Sequence, residues 1–397
     1  MDSLNFYFLL LVAIFCGWLL GRFANPGRQA IKKASGDLFE DYFVGLNYLL
    51  NDEPDEAIDT FIDALEINSE TIETHLALGA LLRRRGKVDK AIKVHQALLA
   101  RPGLEQGFSE ATKMQLALDH ISAGLLDRAE RLLNEILNEA KGKSKNEALL
   151  QLITIYQTEK EWEKAIVSSE LLLADPALKK DLELRSEAAH FCCEFAEQLL
   201  EQEEDSRAKT QLKRALSFDK GNIRALFLLA KIEQRQGKFK TAIKQLLRIR
   251  SSSPEFMGLL LDPLSECYQQ LGTPQDFEKL LRSILAEDSN IKVVLALAEL
   301  IKKDAGNEAA ANFLNGYLAE HPSLEGLLEL FGLQIGGVDD EFAKSLSSVQ
   351  SLISKMQHNS SEYQCNHCGY ESKNHYWMCP SCKKWDKIKP IHASVAS

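Results

Sequence analysis

The chain has 397 residues, of which 45% are hydrophobic and 26% are charged, and its 57 acidic residues outnumber its 47 lysine and arginine residues. The resulting net charge of −10 argues against a nucleic-acid-binding protein, because a net acidic chain has little long-range attraction for phosphate. The eight cysteines do not show the spacing of a disulfide scaffold, which favours a reducing compartment.

An uncharged apolar stretch runs from Leu4 to Leu20. As a helix it would be roughly 26 Å long, close to the ~30 Å hydrocarbon core of a bilayer. Asp2 precedes it and four basic residues follow it, which is not the charge order of a cleaved signal peptide; the four are Arg22, Arg28, Lys32 and Lys33. We predict a transmembrane anchor over residues 1–21, which contacts the lipid bilayer through residues 4–20, and a basic juxtamembrane linker over 22–37. The positive charges place the remainder on the cytoplasmic side.

A 34-residue repeat follows the anchor. Five positions recur with this offset: Gly45, Tyr48, Ala57, Phe61 and Ala64 are matched by Gly79, Leu82, Ala91, His95 and Leu98. The period and the pattern of small residues resemble the tetratricopeptide repeat, in which small side chains let two paired helices approach closely. The small-residue position continues through Ala129, Ala165, Ala208, Ala242 and Ala310, and Phe277 takes its place in one repeat. The spacing varies: the step from Ala208 to Ala242 is again 34 residues, but the step from Ala165 to Ala208 is 43.

The fold class predicted for the chain is all-α. Apolar residues recur at helical spacing in segments such as 223–236, and turn signals separate the segments, for example at Gly86, Gly237 and Gly272. We predict a right-handed superhelical solenoid of about eight tetratricopeptide hairpins over residues 38–322. Residues 323–361, which include a Gly-rich and a Ser-rich piece, are predicted to form capping helices and a linker.

Two cysteine pairs separated by ten residues lie near the carboxyl end: Cys365 with Cys368, and Cys379 with Cys382. Each C-x-x-C turn directs two sulfurs at one point, so the two turns supply all four positions of a tetrahedral metal site. Such a closed site is structural, since it leaves no position for water or substrate. The alternative, two redox C-x-x-C motifs, fits less well because these normally occur singly. Four thiolates accept zinc or iron, and we favour zinc slightly.

The segment around these cysteines is predicted to be a rubredoxin-like, zinc-ribbon module over residues 362–397. Three histidines near the knuckles are redundant as ligands once four cysteines are present; they are His367, His375 and His392. Residues 365–397 are basic, with five lysines against Glu371 and Asp386; the lysines are Lys373, Lys383, Lys384, Lys387 and Lys389. These lysines could face anionic lipid or carboxylates of the repeats, whereas nucleic acid is disfavoured by the acidic remainder of the chain.

No catalytic constellation is present. The sequence has no Gly-rich phosphate loop, no G-x-S-x-G motif and no H-E-x-x-H pair. Cys192 and Cys193 follow His190 and could suggest a nucleophile, but core packing within a helix is the favoured interpretation. The groove positions of the first repeats are Tyr42, Leu46, Leu76 and Ala80, so this groove favours apolar segments of a partner, if these residues do not simply pack between repeats.

The order of these features is specific. An amino-terminal span with Gly17-Trp18 and Gly21-Arg22 precedes the repeats, and the chain closes with Tyr376-Trp377-x-Cys379-Pro380-x-Cys382, Trp385 and Ile388-Lys389-Pro390-Ile391. Over essentially its whole length, the chain resembles the lipopolysaccharide assembly protein B family. The carboxyl-terminal motif carries most of this resemblance, because individual helical repeats are unspecific.

The resemblance implies a single-pass protein of the bacterial inner membrane, with tetratricopeptide repeats and a rubredoxin-type module packed against them in the cytoplasm. It further implies a non-catalytic adaptor that restrains lipopolysaccharide synthesis by promoting the proteolysis of the deacetylase LpxC by the membrane protease FtsH. Other lipopolysaccharide assembly proteins are expected partners. The alternative is an assembly platform or co-chaperone that gathers lipopolysaccharide synthesis enzymes without directing proteolysis.

Overall fold

The computed structural model describes residues 71–287, 289–334, 347–353 and 361–391, together with the isolated residues 12, 13, 15, 18, 44, 48, 60 and 344. The predicted anchor, the linker over 22–37 and the first predicted repeat lie almost entirely outside these residues. Within the described ranges, no helix has the length and apolar character needed to cross a bilayer.

The chain divides into two compact units, Met1–Gln151 and Leu152–Ser397. The described helices of the first unit are α1 (Ile72–Arg84), α2 (Val88–Leu99), α3 (Gln106–Ser122) and α4 (Leu126–Glu139), and α5 (Lys143–Glu159) contains the boundary. Helices α1 and α2 pack against each other, as do α3 and α4. The described part of the first unit is therefore built from helical hairpins, as the 34-residue period predicts.

A buried ion-pair network joins the two hairpins of the first unit. Asp119 on α3 is fully buried and lies 2.6 Å from Arg83 Nη1 and 2.5 Å from His95 Nδ1. His95 stands over Gly79, where a Cβ atom would overlap its imidazole ring. Two positions of the repeat pattern, Gly79 and His95, therefore contact each other, and the missing side chain of Gly79 makes room for the ring.

The second unit continues the pattern with α6 (Trp162–Leu173), α7 (Leu182–Glu201), α8 (Asp205–Phe218), α9 (Ile223–Arg235), α10 (Phe239–Ser252), α11 (Met257–Gln270) and α12 (Pro274–Leu285). A 3₁₀ turn, Pro254–Phe256, precedes α11. From α7 to α12 each helix packs against the next one. One apolar core runs through α9 to α12 and into the following helix, and includes Leu246, Leu264, Leu281 and Val293.

The small-residue positions predicted from the sequence occupy equivalent places in these hairpins. Each is the fourth residue of the second helix and has no exposed surface, as seen for Ala91, Ala129, Ala165, Ala208 and Ala242. Phe277 holds the same place in α12, is 3% exposed and stacks on Tyr268 at a centroid distance of 5.4 Å. The position therefore stays buried when an aromatic ring replaces the small side chain.

The last described helices depart from the regular hairpin. The helix α13 (Ile291–Glu320) is interrupted at Gly306, whose φ of 88° and ψ of 177° are not helical, so it consists of two helical segments. Helix α14 (Leu324–Gln334) packs on α13 through a core that includes Val294, Leu314 and Leu330. Residues 347–353 are also helical.

The turns between paired helices share a left-handed residue. It is glycine in four hairpins and a larger residue in two; the glycines are Gly86, Gly124, Gly237 and Gly272, and the others are Lys160 and Glu203. A side chain costs roughly 1–2 kcal/mol in this conformation. Part of this cost is offset because glycine loses more backbone entropy on folding.

We therefore expect Lys160→Gly and Glu203→Gly each to raise the free energy of unfolding by roughly 0.5–1 kcal/mol, as measured by urea denaturation. Gly237→Ala, the reciprocal change, should lower this free energy by roughly 1 kcal/mol. A destabilised Glu203→Gly variant would show that the Glu203 side chain makes a compensating interaction.

The carboxyl-terminal module is the part of the described chain that contains strands. They are β1 (Tyr363–Cys365), β2 (Glu371–Ser372) and β3 (Ile388–Pro390), and β1 lies in the middle of an antiparallel sheet. Tyr363 pairs with Ser372 on one side and with Pro390 on the other, while Cys365 pairs with Ile388. We call residues 361–391 the ribbon. Its short sheet holds the first cysteine knuckle against β3.

Candidate metal centre

The two cysteine knuckles have the same backbone geometry. In the first, the Cys365 N–H donates to the Tyr370 carbonyl and the Cys365 carbonyl accepts from Gly369; in the second, Cys379 makes the equivalent bonds with Lys384 and Lys383. The residue after each second cysteine is left-handed, with φ of 75° at Gly369 and 58° at Lys383. Two turns of one design therefore present their sulfurs to a common point.

The four sulfur atoms of Cys365, Cys368, Cys379 and Cys382 lie within 4.8 Å of one another. Cys365 Sγ is 3.8 Å from Cys382 Sγ, and Cys368 Sγ is 3.7 Å from Cys379 Sγ; all four cysteines are free of disulfides. With zinc–sulfur bonds of about 2.3 Å, a tetrahedral site separates its sulfurs by about 3.8 Å. The cluster thus has the dimensions and the donor set for one metal ion.

The cluster is buried on one side and open on the other. Cys365 and Cys379 are inside the ribbon, Cys382 is half-buried and Cys368 is exposed. The Tyr370 N–H is hydrogen-bonded to Cys368 Sγ, which lowers the pKa of this thiol. A backbone N–H bond of this kind stabilises a thiolate and therefore suits a metal ligand.

The histidines near the knuckles are not part of the cluster in the described part of the chain. His367 is exposed, and His392 lies outside the described residues. His375 is packed between aromatic rings, with centroid distances of 5.4 Å to Tyr363, 4.5 Å to Trp377 and 5.3 Å to Phe256 of the repeats. Burial lowers the pKa of His375 to about 4, which keeps the imidazole neutral in this packing role.

The ribbon is seated on α7 of the same unit. Trp385, which is 4% exposed, stacks on His190 with a centroid distance of 4.8 Å and meets the edge of Phe191 at 6.2 Å. The Arg224 guanidinium of α9 lies 5.9 Å from the Trp385 ring, and Glu194 and Glu197 hold this guanidinium at 2.7 and 2.6 Å. Trp385 is therefore the apolar anchor of the ribbon, and a cation contacts its ring.

A hydrogen-bonded carboxylate follows the anchor. Asp386 Oδ2 lies 2.6 Å from His190 Nε2 and accepts a hydrogen bond from Ser186 Oγ at 3.0 Å. Burial alone would raise the pKa of Asp386, but the bonds from His190 and Ser186 hold this pKa below its usual value. The ribbon is thus joined to α7 by a charged contact as well as by packing.

Four further contacts extend this interface. Lys384 Nζ lies 2.7 Å from Glu183, Lys389 Nζ lies 3.4 Å from Glu255, and Lys292 Nζ lies 3.2 Å from Glu362 of the ribbon. Gln157 Nε2 lies 3.2 Å from the sulfur of Met378. Two of the five ribbon lysines therefore face carboxylates of the repeats, one of the two possibilities left open by the sequence.

Sequence reasoning missed the docking role of His190 and Arg224. The pair Trp385 and Asp386, directly after the second knuckle, was the available sequence signal for docking. An aromatic side chain followed by a carboxylate needs a partner surface when both are buried. Cys192 and Cys193 are fully buried, as core packing predicts, and burial raises the pKa of Cys192 to about 12. A thiol of such a high pKa is not a nucleophile at neutral pH.

Comparison with known proteins agrees with this geometry. A family model described as "Rubredoxin metal binding domain" matches residues 363–390. Lipopolysaccharide assembly protein B of Escherichia coli K12 is 35% identical over 390 residues, which cover 98% of both chains. The protein of the same name from Haemophilus influenzae is 35% identical over 395 residues, or 97% of both chains.

A solved structure with a helical-repeat fold is also similar. A tetratricopeptide repeat protein from Parabacteroides merdae covers 71% of this chain and 100% of its own length, with 14% identity and a TM-score of 0.33. A likeness at this level carries no argument, and the helical-hairpin architecture rests on the packing described above. The 35% identity along 98% of the chain is decisive instead. The chain belongs to the lipopolysaccharide assembly protein B family.

Proposed function

We propose that the protein is a membrane-tethered, non-catalytic adaptor in lipopolysaccharide biosynthesis, which brings the deacetylase LpxC to the membrane protease FtsH. The observation that carries this proposal is the family membership, since relatives named lipopolysaccharide assembly protein B match 98% of the chain. The roles of LpxC, FtsH and the membrane tether in this proposal come from the resemblance of the anchor, the repeats and the ribbon to that family. The span over residues 4–20, at the inner membrane with the repeats in the cytoplasm, is part of the proposal.

The chemistry of the described residues supports a binding role over catalysis. Paired helices present long side-chain surfaces of the kind that repeat proteins use to hold partners. The thiols of Cys192 and Cys193 are buried, and the four ribbon sulfurs face one another.

We also propose that Cys365, Cys368, Cys379 and Cys382 together hold one metal ion, either zinc or iron. With four thiolates bound, the ion has no open position, so its contribution is to the folding of the ribbon. Visible absorption of the purified protein separates the two metals, because an iron–thiolate site is coloured and a zinc site is not.

The adaptor proposal is tested by the half-life of LpxC in matched cells with and without this protein. Loss of an adaptor should lengthen the half-life severalfold, because the protease then meets its substrate only by chance encounter. Restoring the intact protein should return the half-life to its original value. An unchanged half-life in cells that lack the protein would refute this proposal.

The anchor should contribute through proximity. A tether on the bilayer raises the effective concentration of the adaptor near a membrane protease. Deletion of residues 1–21 should therefore leave a protein that still binds LpxC but promotes its degradation poorly. Replacing residues 4–20 by an unrelated span is the matched control: full rescue supports tethering alone, and partial rescue indicates contacts made by the span itself. Equal LpxC turnover with the soluble protein at the same abundance would exclude the tethering mechanism.

The second candidate function is an assembly platform that gathers lipopolysaccharide enzymes. This candidate is favoured by the name of the relatives, lipopolysaccharide assembly protein B, because the name describes an assembly role. A platform would bind several enzymes together without changing the half-life of any one of them. Co-purification of lipopolysaccharide enzymes with the protein, at constant LpxC half-life, would therefore support the platform and exclude the adaptor.

A further inference from the structure

The turn between α1 and α2 carries a concentrated positive charge. Residues 83–93 contain six basic side chains and a single acidic one, Asp89, in a chain whose net charge is −10. The six are Arg83, Arg84, Arg85, Lys87, Lys90 and Lys93. We call residues 83–93 the basic turn. The corresponding turn between α7 and α8 is acidic, with Glu201, Glu203, Glu204 and Asp205, so this charge is not a property that the hairpin turns share.

Three cations of the basic turn face solvent. Arg83 points inward to Asp119 and Gln115, but Arg84, Arg85 and Lys93 are exposed, and none of these three has an ion pair with another described residue. In the second unit, by contrast, the exposed Arg207 and the half-buried Arg214 and Arg250 have carboxylate partners at 2.6, 2.6 and 2.5 Å. The basic turn therefore offers charges that the described fold does not use.

We propose that the basic turn binds the phosphate groups of an anionic phospholipid surface. This inference rests on the membrane tether of the proposed function and adds to it a second contact with the bilayer. The guanidinium groups of Arg84 and Arg85 match phosphate oxygens, and lysine adds a point charge. Phosphate on a lipid surface also needs no shaped pocket, which suits three exposed side chains on a turn.

The position of the basic turn favours lipid over an acidic polypeptide as its partner. The first described hairpin is the one nearest in sequence to the predicted span, and the linker over 22–37 is also basic. Basic residues near the cytoplasmic face are attracted by its anionic lipids within about a Debye length. A tether that starts at the bilayer limits how far the amino-terminal hairpins can move from this surface, where the attraction is felt.

The test uses the full-length protein in nanodiscs of phosphatidylcholine alone or with phosphatidylglycerol. Hydrogen exchange of a peptide that covers the basic turn should slow roughly tenfold in discs with the anionic lipid, and high salt should abolish the difference. The triple variant Arg84→Gln/Arg85→Gln/Lys93→Gln should lose this protection. The triple variant Lys179→Gln/Lys180→Gln/Lys240→Gln, which removes the same charge from exposed sites of the second unit, should keep it.

Equal exchange in both kinds of disc, or protection that persists in the Arg84/Arg85/Lys93 variant, would overturn the inference. The inference would also be overturned if phosphatidylglycerol gave no protection while poly-glutamate, added to discs that lack anionic lipid, protected the turn. Insertion of the span is measured separately, by co-elution of the protein with phosphatidylcholine discs. Co-elution with anionic discs only, lost in the Arg84/Arg85/Lys93 variant, would support the basic turn while rejecting the span.

Discussion

Replacement of Cys379 by serine should unfold the ribbon and abolish stoichiometric metal binding. The ribbon core consists of Tyr363, Cys365, Cys379 and Ile388, so two of its four buried residues are proposed metal ligands. Such a core is too small to fold alone, and metal binding contributes apparent folding energies of about 10–16 kcal/mol in small zinc modules. Serine is a poor replacement because its hydroxyl does not ionise at neutral pH.

Metal analysis and hydrogen exchange of residues 361–391 measure this effect. The far-ultraviolet circular dichroism should change little, because the described helices of the repeats keep their own cores. The thermal midpoint of the second unit should nevertheless fall, since His190 and Arg224 lose the ring that covers them. Cys267→Ser is the matched control, as this cysteine is equally buried but lies in α11. Full metal content in a Cys365→Ser/Cys379→Ser double variant would contradict the four-cysteine site.

Trp385→Ala should release the ribbon from α7 while leaving the metal bound. The side chain is 4% exposed and contacts both His190 and Arg224, and truncation of a buried tryptophan typically costs about 3–5 kcal/mol. Because Trp385 is not a proposed ligand, the sulfur cluster remains intact. Undocking should appear as faster hydrogen exchange in α7 and as a lower free energy of unfolding.

The control for this variant is Tyr376→Ala, which removes an aromatic ring that is 40% exposed. It should change the free energy of unfolding by less than about 0.5 kcal/mol. Trp385→Ala removes the docking of the ribbon alone, whereas Cys379→Ser removes both docking and metal binding, so the comparison separates the two effects. Exchange in α7 that matches the wild-type protein in Trp385→Ala would show that the charged contacts at Asp386, Lys384 and Lys389 suffice to hold the ribbon.

The hairpins and the cysteine cluster could be predicted from the sequence because both depend on short spacing. Ala129 and Ala208 are each the fourth residue of a second helix, and the periodicity of the sequence alone predicts both positions. The sulfur cluster likewise depends on two C-x-x-C turns only ten residues apart. A pattern with a fixed period or a short loop leaves little freedom for the chain, so it determines the local structure.

The docking of the ribbon could not be predicted in the same way. His190 and Asp386 are separated by 196 positions, and no local pattern marks either one as a partner of the other. The left-handed turns at Lys160 and Glu203 were also missed, because neither residue is a common choice for this conformation. Such features are decided by tertiary packing, which overrides local preference.

The ribbon contacts limit how the array of repeats can change in length. Glu183, Arg224, Glu255 and Lys292 lie at or just before the start of α7, α9, α11 and α13, and each contacts the ribbon. Repeat arrays ordinarily gain or lose units freely, because each unit contacts only its neighbours. Here an inserted or deleted hairpin between α7 and α13 would shift these side chains away from the ribbon residues that they meet. The contacts with the ribbon thus constrain the number of hairpins between α7 and α13.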